Sequence, residues 1–374
     1  MPVTPLPLEL VNIALDLIQR HSIQRSDHEG KKFEWAYAPH DAIDWQDFKD
    51  KAFYDLQSVQ TPTIEDACGV IDRALMRLGD NHSLLTYPSF ERSVVPNYVA
   101  NIDPRNDSRF TWAFHKKNWH TSIEAVASKE KDSVNFVEPK LCYRGDILVV
   151  SVPGFFLARD SSQRKIYQET LRHGLLQAAE KPLKGIVVDL LENGGGDMHP
   201  MLLGLSPILG PQTLGYFSTQ SGEQAWHINY GQNKSDIVSA DDPRNFPLFD
   251  IPVAVLAGPG TCSSGEIIFL SLRGRANTAS LGLETYGASS GNKSFFLTED
   301  GKLQMHLCAS VSLDRNHQGS GNGKKAFDGG KIGVDIKSNS PLDDAITWLK
   351  SAAPPVKPTL SVSNNSLRAG KLGI

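Results

Sequence analysis

Three short segments of the sequence carry groups suited to nucleophilic catalysis, and the first is NGGGD at residues 193–197. Consecutive glycines let backbone N–H groups approach a ligand without a Cβ in the way. Paired N–H groups of this kind can bind an anion or stabilise an oxyanion. A run of glycines by itself is more typical of a plain strand-to-helix turn, so this segment gains meaning only together with the others.

The second segment is GPGTCSSGE at 258–266, which has the pattern of a strand, a turn and a helix. A serine in the first turn of such a helix exposes its hydroxyl at the end of the strand, close to the N–H groups of the next residues. Ser263 and Ser264 are therefore candidate nucleophiles. In the alternative interpretation, Ser263 is only an N-cap and Glu266 completes a capping box with it. Taken alone, the segment favours the cap.

The third segment is DNHS at 80–83, which places His82 just past the end of a predicted helix. A histidine in such a position can reach a neighbouring part of the fold and act as a general base. The sequence contains eleven histidines, and a lone histidine is more often structural or exposed than catalytic. His82 is thus a candidate that needs a partner.

The elements that must position these segments change in character along the chain. Apolar residues recur at steps of three and four from Leu8 to Ile18, and the pattern repeats in 45–57 and 63–78, which predicts amphipathic helices. From residue 146 onward, fully apolar runs alternate with helical patterns, which predicts an α/β core with buried strands. The predicted organisation begins with a helical N-terminal domain at 1–90 and a linking strand and loop region at 91–145. An α/β catalytic domain at 146–352 and a mobile tail at 353–374 follow.

The composition excludes several classes of protein. Of the 374 residues, 40% are hydrophobic and 21% are charged, which is typical of a soluble globular chain and not of a disordered one. The net charge of −4, without a basic stripe, argues against nucleic acid as a partner. The sequence contains no run of about 18 apolar residues, so no membrane span is predicted. The first 25 residues lack the basic and apolar regions of a signal peptide, so the predicted location is the cytoplasm.

The cysteines give no sign of a metal site or a disulfide scaffold. The four of them lie far apart and form no CxxC pair: Cys68, Cys142, Cys262 and Cys308. Closely spaced cysteine pairs are what a zinc site or a small disulfide-bonded fold would need. We therefore expect neither a metal nor a cofactor.

Taken in order, the segments resemble the tail-specific or carboxyl-terminal processing serine peptidase family, including relatives of the tricorn protease core. LGDNHSLL is similar to that family's L-G-D-x-H-S element, GIVVDLLENGGGD to its D-L-R-x-N-x-G-G element, and VAVLAGPGTCSSGEIIFLSLRG to its serine element. LGLETYGASSG and GKIGVDIKSNSPLDDAITWL resemble the two elements that follow. The resemblance covers roughly residues 63–350. It implies a catalytic domain with a crotonase- or Clp-like β-β-α spiral, against which the helical N-terminal domain packs.

The resemblance implies roles for individual residues. Ser263 aligns with the family nucleophile. The backbone N–H of Gly195 or Gly196, together with that of Ser264, would form the oxyanion hole. Bacterial processing members carry a Lys base directly after the glycine of a T-F-G-K element, but this position is Ala288 here. The general base of that branch is therefore missing.

Tricorn-type relatives instead use a Ser–His arrangement, with the histidine on the helical N-terminal domain and an acid near the end of the catalytic domain. His82 matches that histidine, and Asp328 occupies the position of the acid. An acid there would hold the imidazole in the right tautomer and stabilise the imidazolium. We therefore predict a Ser263–His82–Asp328 system, assembled across two domains.

Several alternatives stay open at this level. His82 could only tie the two domains together, and Asp328 could cap a glycine turn. Lys293 could serve as the base if its loop is remodelled. Cys262 lies one residue out of register for a nucleophile, and Asn193 is interpreted as a turn residue that shapes the glycine loop.

The predicted function is that of a serine peptidase, which forms an acyl-enzyme at Ser263 on a peptide or protein substrate without a metal or nucleotide. One alternative is a catalytically silent binding protein of the same family, because a missing Lys is what a degenerate site would have. Another is a hydrolase of non-peptide esters or amides. Neither nucleic acid nor a membrane is expected as a partner, and the sequence is compatible with a homo-oligomer. The stretch from Ser83 to Tyr143 is too short for a PDZ module.

Overall fold

The computed structural model describes residues 6–22, 43–78, 82–86, 137–156, 161–219, 221–230, 237–299, 301, 303–319 and 330–351. Most of the predicted linking region at 91–145 lies outside these residues, as do the predicted tail at 353–374 and Asp328. The division into domains, the absence of a PDZ module and the role of Asp328 therefore stay predictions.

Three amphipathic helices form the N-terminal part: α1 (Pro7–His21), α2 (Trp45–Gln57) and α3 (Ile64–Leu78). They are the helices that the apolar periodicity predicts. The Asp44 side chain caps α2 by accepting two of its first N–H groups, which have no partner inside a helix. Each helix buries one apolar stripe, and the three stripes share a single core cluster.

An antiparallel sheet lies against these helices. Its strands are β1 (Leu84–Thr86), β5 (Gly215–Thr219), β6 (Gly222–Trp226), β9 (Ser290–Phe296) and β10 (Gln304–Asp314). The long strand β10 pairs with β9 along one edge, and with β1 and then β5 along the other. Apolar side chains at the start of β10 belong to the same core cluster as the three helices, so the helices are fastened to this sheet.

A second sheet has six strands in the order β11-β8-β7-β4-β3-β2. All neighbours are parallel except β2 and β3. The strands are β2 (Lys140–Arg144), β3 (Ile147–Ser151), β4 (Gly185–Asp189), β7 (Val253–Ala257), β8 (Thr278–Gly282) and β11 (Ile336–Lys337). This arrangement confirms the predicted α/β class with a helical N-terminal region.

Helices cover both faces of the parallel sheet, which explains why its central strands β3, β4 and β7 are apolar on both faces. Leu148 and Val150 of β3 pack into the large cluster on one face, whereas Ile147 and Val149 pack into a smaller cluster on the other. The helices α4 (Ser162–Ala178), α5 (Met198–Gly204), α6 (Ser206–Leu209) and α7 (Ser264–Leu272) contribute to the first cluster, and α8 (Pro341–Ser351) contributes to the second. A short 3₁₀ helix spans Pro243–Asn245. None of the helices in the described ranges is long and apolar enough to cross a bilayer.

The order of the parallel strands decides where the chemistry can occur. Strands β4 and β7 are neighbours and run parallel, so their carboxyl ends meet at the same edge of the sheet. The glycine loop at 193–197 follows β4, and the serine turn at 258–266 follows β7. Ligands of open α/β sheets bind outside the carboxyl ends of the strands. The fold therefore brings two of the three candidate segments to one edge.

Candidate active site

Ser263 lies on a sharp, strained turn between β7 and α7. Its backbone has φ 52° and ψ −119°, in the left-handed half of conformational space that residues with a Cβ rarely adopt. The turn is braced from behind, because the Thr261 hydroxyl accepts the N–H of Gly258 at 3.0 Å and donates to the carbonyl of Leu190 at 2.8 Å. A strained serine between a strand and a helix is the geometry of a nucleophile elbow.

The glycine loop lies directly against this turn, and Asn193 joins the two. The Asn193 side chain is fully buried. Its main-chain carbonyl accepts the N–H of Cys262 at 2.9 Å, and its Oδ1 accepts the N–H of Gly195 at 3.0 Å. Its Nδ2 donates to the carbonyl of Val152 at 2.9 Å. Asn193 thus shapes the loop, as the sequence interpretation predicts.

Two positions of the loop require glycine. Gly195 and Gly196 have φ values of 104° and 96°, which glycine alone adopts without strain. A Cβ added to Gly195 would lie 2.8 Å from the Cβ of Ser263, and one added to Gly196 would lie 1.9 Å from the carbonyl oxygen of Phe155. The missing side chains are what allows the loop backbone to approach the serine so closely.

The N–H groups of Gly196 and Ser264 are the ones that remain for an oxyanion hole. The Gly195 N–H is already donated within the loop. The Phe155 backbone forms hydrogen bonds with the Gly195 carbonyl and the Asp197 N–H, on either side of Gly196. The Gly196 N–H therefore points away from Phe155. Ser264 is the first residue of α7, where an N–H has no partner inside the helix. Within the described part of the chain, neither group has an acceptor. Of the two predicted glycines, the geometry thus favours Gly196 as the N–H donor of the oxyanion hole.

Replacing Gly196 with alanine is expected to lower the free energy of unfolding by about 2–4 kcal/mol, because the new Cβ would overlap the carbonyl of Phe155 and the backbone has to move. Gly222→Ala is the matched control. Gly222 also has a positive φ, 125°, but a Cβ there would meet no atom within 4 Å, so it carries only the conformational cost of that backbone, at least about 1 kcal/mol, without the overlap. Denaturant unfolding measures both, and equal losses would contradict the steric argument.

The far end of the glycine loop is fixed by an ion cluster. The Asp197 carboxylate caps α5 by accepting the N–H of His199, and it also contacts the side chains of Arg164 and His199 closely. Although burial opposes it, these contacts keep the pKa of Asp197 below its usual value. Asp197 is therefore ionised at neutral pH and anchors the loop between β4 and α5.

His82 meets Ser263 across the boundary between the two sheets. The imidazole is buried, with 8% of the residue exposed, and its Nε2 lies 3.0 Å from Ser263 Oγ. The surrounding DNHS segment is fastened to the antiparallel sheet, because the His82 carbonyl accepts Asn292 Nδ2 at 2.9 Å and the Ser83 hydroxyl accepts the N–H of Cys308 at 2.9 Å. The structure thus brings together two of the three residues of the predicted catalytic system.

The other ring nitrogen of His82 faces Ser290. Nδ1 lies 2.7 Å from Ser290 Oγ, and a hydrogen bond with the Ser290 backbone works to raise the pKa of His82. With the proton on Nδ1 the ring donates to Ser290, and we assign this tautomer because it leaves Nε2 unprotonated beside the Ser263 hydroxyl. The lone pair of Nε2 is then directed at the Ser263 hydroxyl, as a general base requires.

The surroundings keep His82 neutral. Burial, followed by the nearby His306, lowers the pKa of His82 to about 4. His306 is held in place by Ser294 Oγ, 2.8 Å from its Nδ1, and by Thr86 Oγ1, 3.3 Å from its Nε2. At physiological pH the His82 imidazole thus has the unprotonated nitrogen that can take a proton from serine.

Replacing Ser290 with alanine is expected to lower kcat about tenfold with little change in KM, because one hydrogen bond that orients the imidazole is lost. The matched control is Ser294→Ala. Ser294 lies on the same strand and contacts His306 rather than His82, so its loss removes a similar hydrogen bond outside the site. Steady-state peptide hydrolysis compares the two, and an equal effect of both variants would contradict a specific role for Ser290.

The structure does not bring a lysine to the site within the described residues. The position of the family Lys is Ala288, which is buried and donates its N–H to the Glu266 carboxylate at 2.8 Å. Lys293 is exposed on β9, with its ammonium 5.2 Å from the centre of the Phe295 ring. Side chains alternate along a strand, so Lys293 points to the face opposite the one that contacts the imidazole. A lysine base is therefore not favoured.

Cys262, the neighbour of Ser263, is poorly suited to attack a substrate. Burial in the first place, and the charge of Glu266 in the second, hold the pKa of its thiol well above the ordinary value. The thiolate, which is the reactive form, is therefore scarce. All four cysteines are free. In the described ranges, no group of three or more His, Cys, Asp and Glu side chains could hold a metal ion.

Two residues that shape the site were not recognised from the sequence. Ser290 was not considered, although it lies two residues after Ala288, where a polar run ASSG opens a strand. Glu266 was considered only as half of a capping box. In the structure its carboxylate accepts the Ser263 N–H, as the box predicts, but it also accepts three donors from the segment between β8 and β9. That segment carried no signal that its backbone faces α7.

Comparisons with known proteins identify the family of this chain. The sequence pattern of peptidase family S41 matches residues 146–323. The chain is 32% identical over 234 residues to the nisin-resistance protein of Lactococcus lactis subsp. lactis, and the alignment covers 62% of this chain and 69% of that protein. The range that matches the family pattern, 146–323, contains the glycine loop and the Ser263 turn.

Two solved structures share the fold. A lipoprotein from Streptococcus agalactiae superposes with a TM-score of 0.67 at 19% identity, over 94% of this chain and 99% of that one. The photosystem II D1 C-terminal processing protease superposes with a TM-score of 0.52 at 14% identity, again over 94% and 99%. At these identities the likeness concerns the fold alone. Together with the sequence match and the relative from Lactococcus, it confirms the predicted resemblance: the chain belongs to peptidase family S41.

Proposed function

We propose that this protein is a serine peptidase in which Ser263 is the nucleophile and His82 is the general base. The observation that carries the proposal is the 3.0 Å contact between Ser263 Oγ and His82 Nε2. It is made at a strained turn, beside backbone N–H groups that have no acceptor among the described residues. A silent binding protein has no need for a strained serine held against a neutral imidazole, so the contact favours the enzyme over that alternative.

The geometry supports an acyl-transfer mechanism. Ser263 Oγ attacks the carbonyl carbon of the peptide bond while His82 Nε2 takes the hydroxyl proton. The charge that develops on the carbonyl oxygen is received by the N–H groups of Gly196 and Ser264. His82 then gives its proton to the leaving amine, the C–N bond breaks, and the acyl-enzyme remains. A water molecule, deprotonated by His82, attacks the ester and releases the carboxylic acid and the Ser263 hydroxyl.

The imidazolium that forms in this mechanism needs support at Nδ1. Ser290 Oγ, 2.7 Å away, is a neutral partner for that nitrogen. Asp328, the acid predicted from the sequence, would add a negative charge and raise the basicity of His82. We include both residues as partners of the imidazolium, Ser290 because of its contact with Nδ1 and Asp328 because of its position relative to the family motif.

A peptide antibiotic is the first substrate to test. The relative from Lactococcus, 32% identical over 234 residues, is named a nisin-resistance protein, and hydrolysis of nisin is a direct way in which a peptidase confers resistance. We therefore propose nisin-like peptides as a substrate class for this chain. The predicted cytoplasmic location and the option of a homo-oligomer stay predictions.

A covalent probe and a candidate substrate test the proposal together. The full-length protein is incubated with a fluorophosphonate, digested, and analysed by mass spectrometry, and we expect a single adduct on Ser263. Incubation with nisin is expected to give two fragments whose masses sum to that of nisin plus one water. An adduct on Cys262 or Ser264 instead, or no adduct under conditions in which the protein is folded, would contradict the assignment.

A further inference from the structure

Glu266 is connected to both sides of the site. It lies in the first turn of α7, three residues after Ser263, and is completely buried. Its Oε2 accepts the N–H of Ser263 at 2.9 Å and the N–H of Ala288 at 2.8 Å. Its Oε1 accepts the N–H of Gly287 at 3.0 Å and the hydroxyl of Thr285. One carboxylate thus joins the turn of the nucleophile to the segment between β8 and β9.

Every partner of this carboxylate donates a hydrogen. Three of the four are backbone N–H groups, which can do nothing else. The fourth, the Thr285 hydroxyl, already accepts the N–H of Ile332 at 2.8 Å. An ionised carboxylate accepts strongly at both oxygens. A protonated carboxyl would have to turn its O–H toward the Thr285 hydroxyl and would leave one oxygen a weaker acceptor, whereas an amide would direct a donor at one of the backbone N–H groups. The ionised form of Glu266 therefore satisfies the whole set best.

We propose that Glu266 is a positioning residue whose ionised carboxylate holds Ser263 in its reactive conformation, so that one proton taken up on Glu266, away from the catalytic pair, releases the nucleophile. The positive φ of Ser263, 52°, is unfavourable and persists only where the surroundings impose it. The bond from the Ser263 N–H to Glu266 is one such constraint. The other bonds fix the carboxylate to the segment that leads into β9 and Ser290. This proposal rests on the proposed function.

The groups around Glu266 favour uptake of that proton. Among the described residues, the titratable side chains that face it are Cys262 on the turn and Tyr286 on the β8–β9 segment, and burial raises the pKa of both. Both are neutral near pH 7, and no cationic side chain in the described ranges forms an ion pair with Glu266. Burial consequently raises the pKa of Glu266 to about 7, although its hydrogen bonds work in the opposite direction.

Two groups must then be deprotonated before Ser263 can attack. His82 is neutral above a pKa of about 4, and Glu266 is ionised above a pKa of about 7. The reaction follows the group that loses its proton last. The rate of labelling at Ser263 is therefore expected to fall about tenfold per pH unit below pH 7 in the wild-type protein, because of Glu266 and not because of His82.

The Glu266→Gln variant tests this assignment. The amide cannot satisfy both pairs of donors, so we expect fluorophosphonate labelling at pH 8 to be about 10- to 100-fold slower than in the wild type. The pH profile of the residual labelling rate is expected to lack the inflection near pH 7, so that the rate falls only as the pH drops below about 4, where His82 is protonated. A variant as fast as the wild type at pH 8, or one that keeps the inflection near pH 7, would overturn the proposal.

A milder variant keeps the test valid if the amide disturbs folding. Thr285→Val removes one of the four donors and leaves the carboxylate in place. Because the Thr285 hydrogen bond lowers the pKa of Glu266, its loss is expected to move the inflection to a higher pH. A purely structural role for Glu266 predicts slower labelling at all pH values with an unmoved inflection, and that result would refute the proposal.

Amide hydrogen exchange gives a readout that does not depend on activity. At pH 8, residues 261–267 and 285–288 are expected to exchange faster in Glu266→Gln than in the wild type. Ser271→Ala is the matched control, since Ser271 is buried in the same helix and bonds to Trp226 and Ile267 instead. Unchanged exchange in Glu266→Gln would overturn the positioning role. If exchange responds as expected but the wild type is labelled at no pH, the peptidase assignment fails and the positioning role stands.

The pH dependence of the stability of the protein tests independently whether folding raises the pKa of Glu266. The pKa of Glu266 is raised from 4.5 to about 7, so the folded state binds the proton more tightly than the unfolded chain. Its contribution to stability is present below pH 4.5 and is lost as the pH rises to about 7. The unfolding constant of the wild type relative to Glu266→Gln is expected to rise up to tenfold per pH unit in this window and to level off above it. A flat ratio would contradict the raised pKa.

Discussion

Replacement of Ser263 by alanine is expected to lower peptide hydrolysis by about 10⁴- to 10⁶-fold and to abolish labelling by fluorophosphonates. The variant keeps the glycine loop and the N–H groups beside it, so binding of the substrate is retained while the acyl-enzyme cannot form. The Ser263 hydroxyl lies 3.0 Å from His82 Nε2, and the substitution removes it. Steady-state hydrolysis and mass spectrometry of the labelled protein measure the two effects.

Two neighbouring variants serve as controls for Ser263. Ser264→Ala keeps the backbone N–H of that residue and removes only a hydroxyl that donates to the carbonyl of Gly196. Cys262→Ala removes a thiol whose raised pKa makes it a poor nucleophile. Both variants are expected to keep labelling at Ser263, with rates within about tenfold of the wild type. Labelling that survives Ser263→Ala but is lost in either control would place the nucleophile elsewhere.

Replacement of His82 by alanine is expected to lower kcat by about 10²- to 10⁴-fold, the usual effect of losing a general base. Without Nε2, the proton of the Ser263 hydroxyl has no acceptor, and no lysine in the described ranges can replace it. The pH profile adds a second criterion. In the wild type the base is neutral above pH 4, whereas in the variant the residual rate is expected to rise continuously with pH as hydroxide takes over the proton.

His306→Asn is the matched control for His82. His306 is a half-buried histidine close to the first, and its charge lowers the pKa of His82. Its replacement is expected to raise the pKa of His82 while kcat changes by less than about tenfold. If His82 only tied the helical part to the rest of the protein, both variants would lower activity in proportion to their loss of stability. Unfolding measurements on the two variants distinguish these outcomes.

The local pattern of the sequence was sufficient to predict the helices and the buried strands. Residues 45–57 form a helix with the predicted bounds, because an apolar stripe at helical spacing has a single way to be buried. Strands β3, β4 and β7 are apolar on both faces, which is satisfied only when helices cover both sides of a sheet. The glycine loop and the serine turn follow such strands, so their place at the sheet edge was predictable as well.

The partners of the proposed catalytic groups were harder to predict from the sequence, because they depend on pairing between distant strands. Glycine at 195 and 196 was recognisable from the sequence, but the choice of Gly196 over Gly195 as a donor depends on Asn193, which takes one of the two N–H groups. Likewise, nothing in the run ASSG indicates that Ser290 faces an imidazole. Its position follows from the pairing of β9 with β10 and from the attachment of the DNHS segment to both strands.

The sequence by itself determined that a serine turn and a glycine loop follow two buried strands, and that the position of the family Lys is Ala288. These properties are local, since they depend on residue type and on the spacing of neighbours along the chain. The family resemblance predicted that His82 pairs with Ser263, 181 residues later, but only the tertiary structure established the contact between its Nε2 and the hydroxyl. It also decided that a buried Glu266 holds the turn. The physical reason is that both contacts are made by side chains buried between elements whose packing no local pattern encodes.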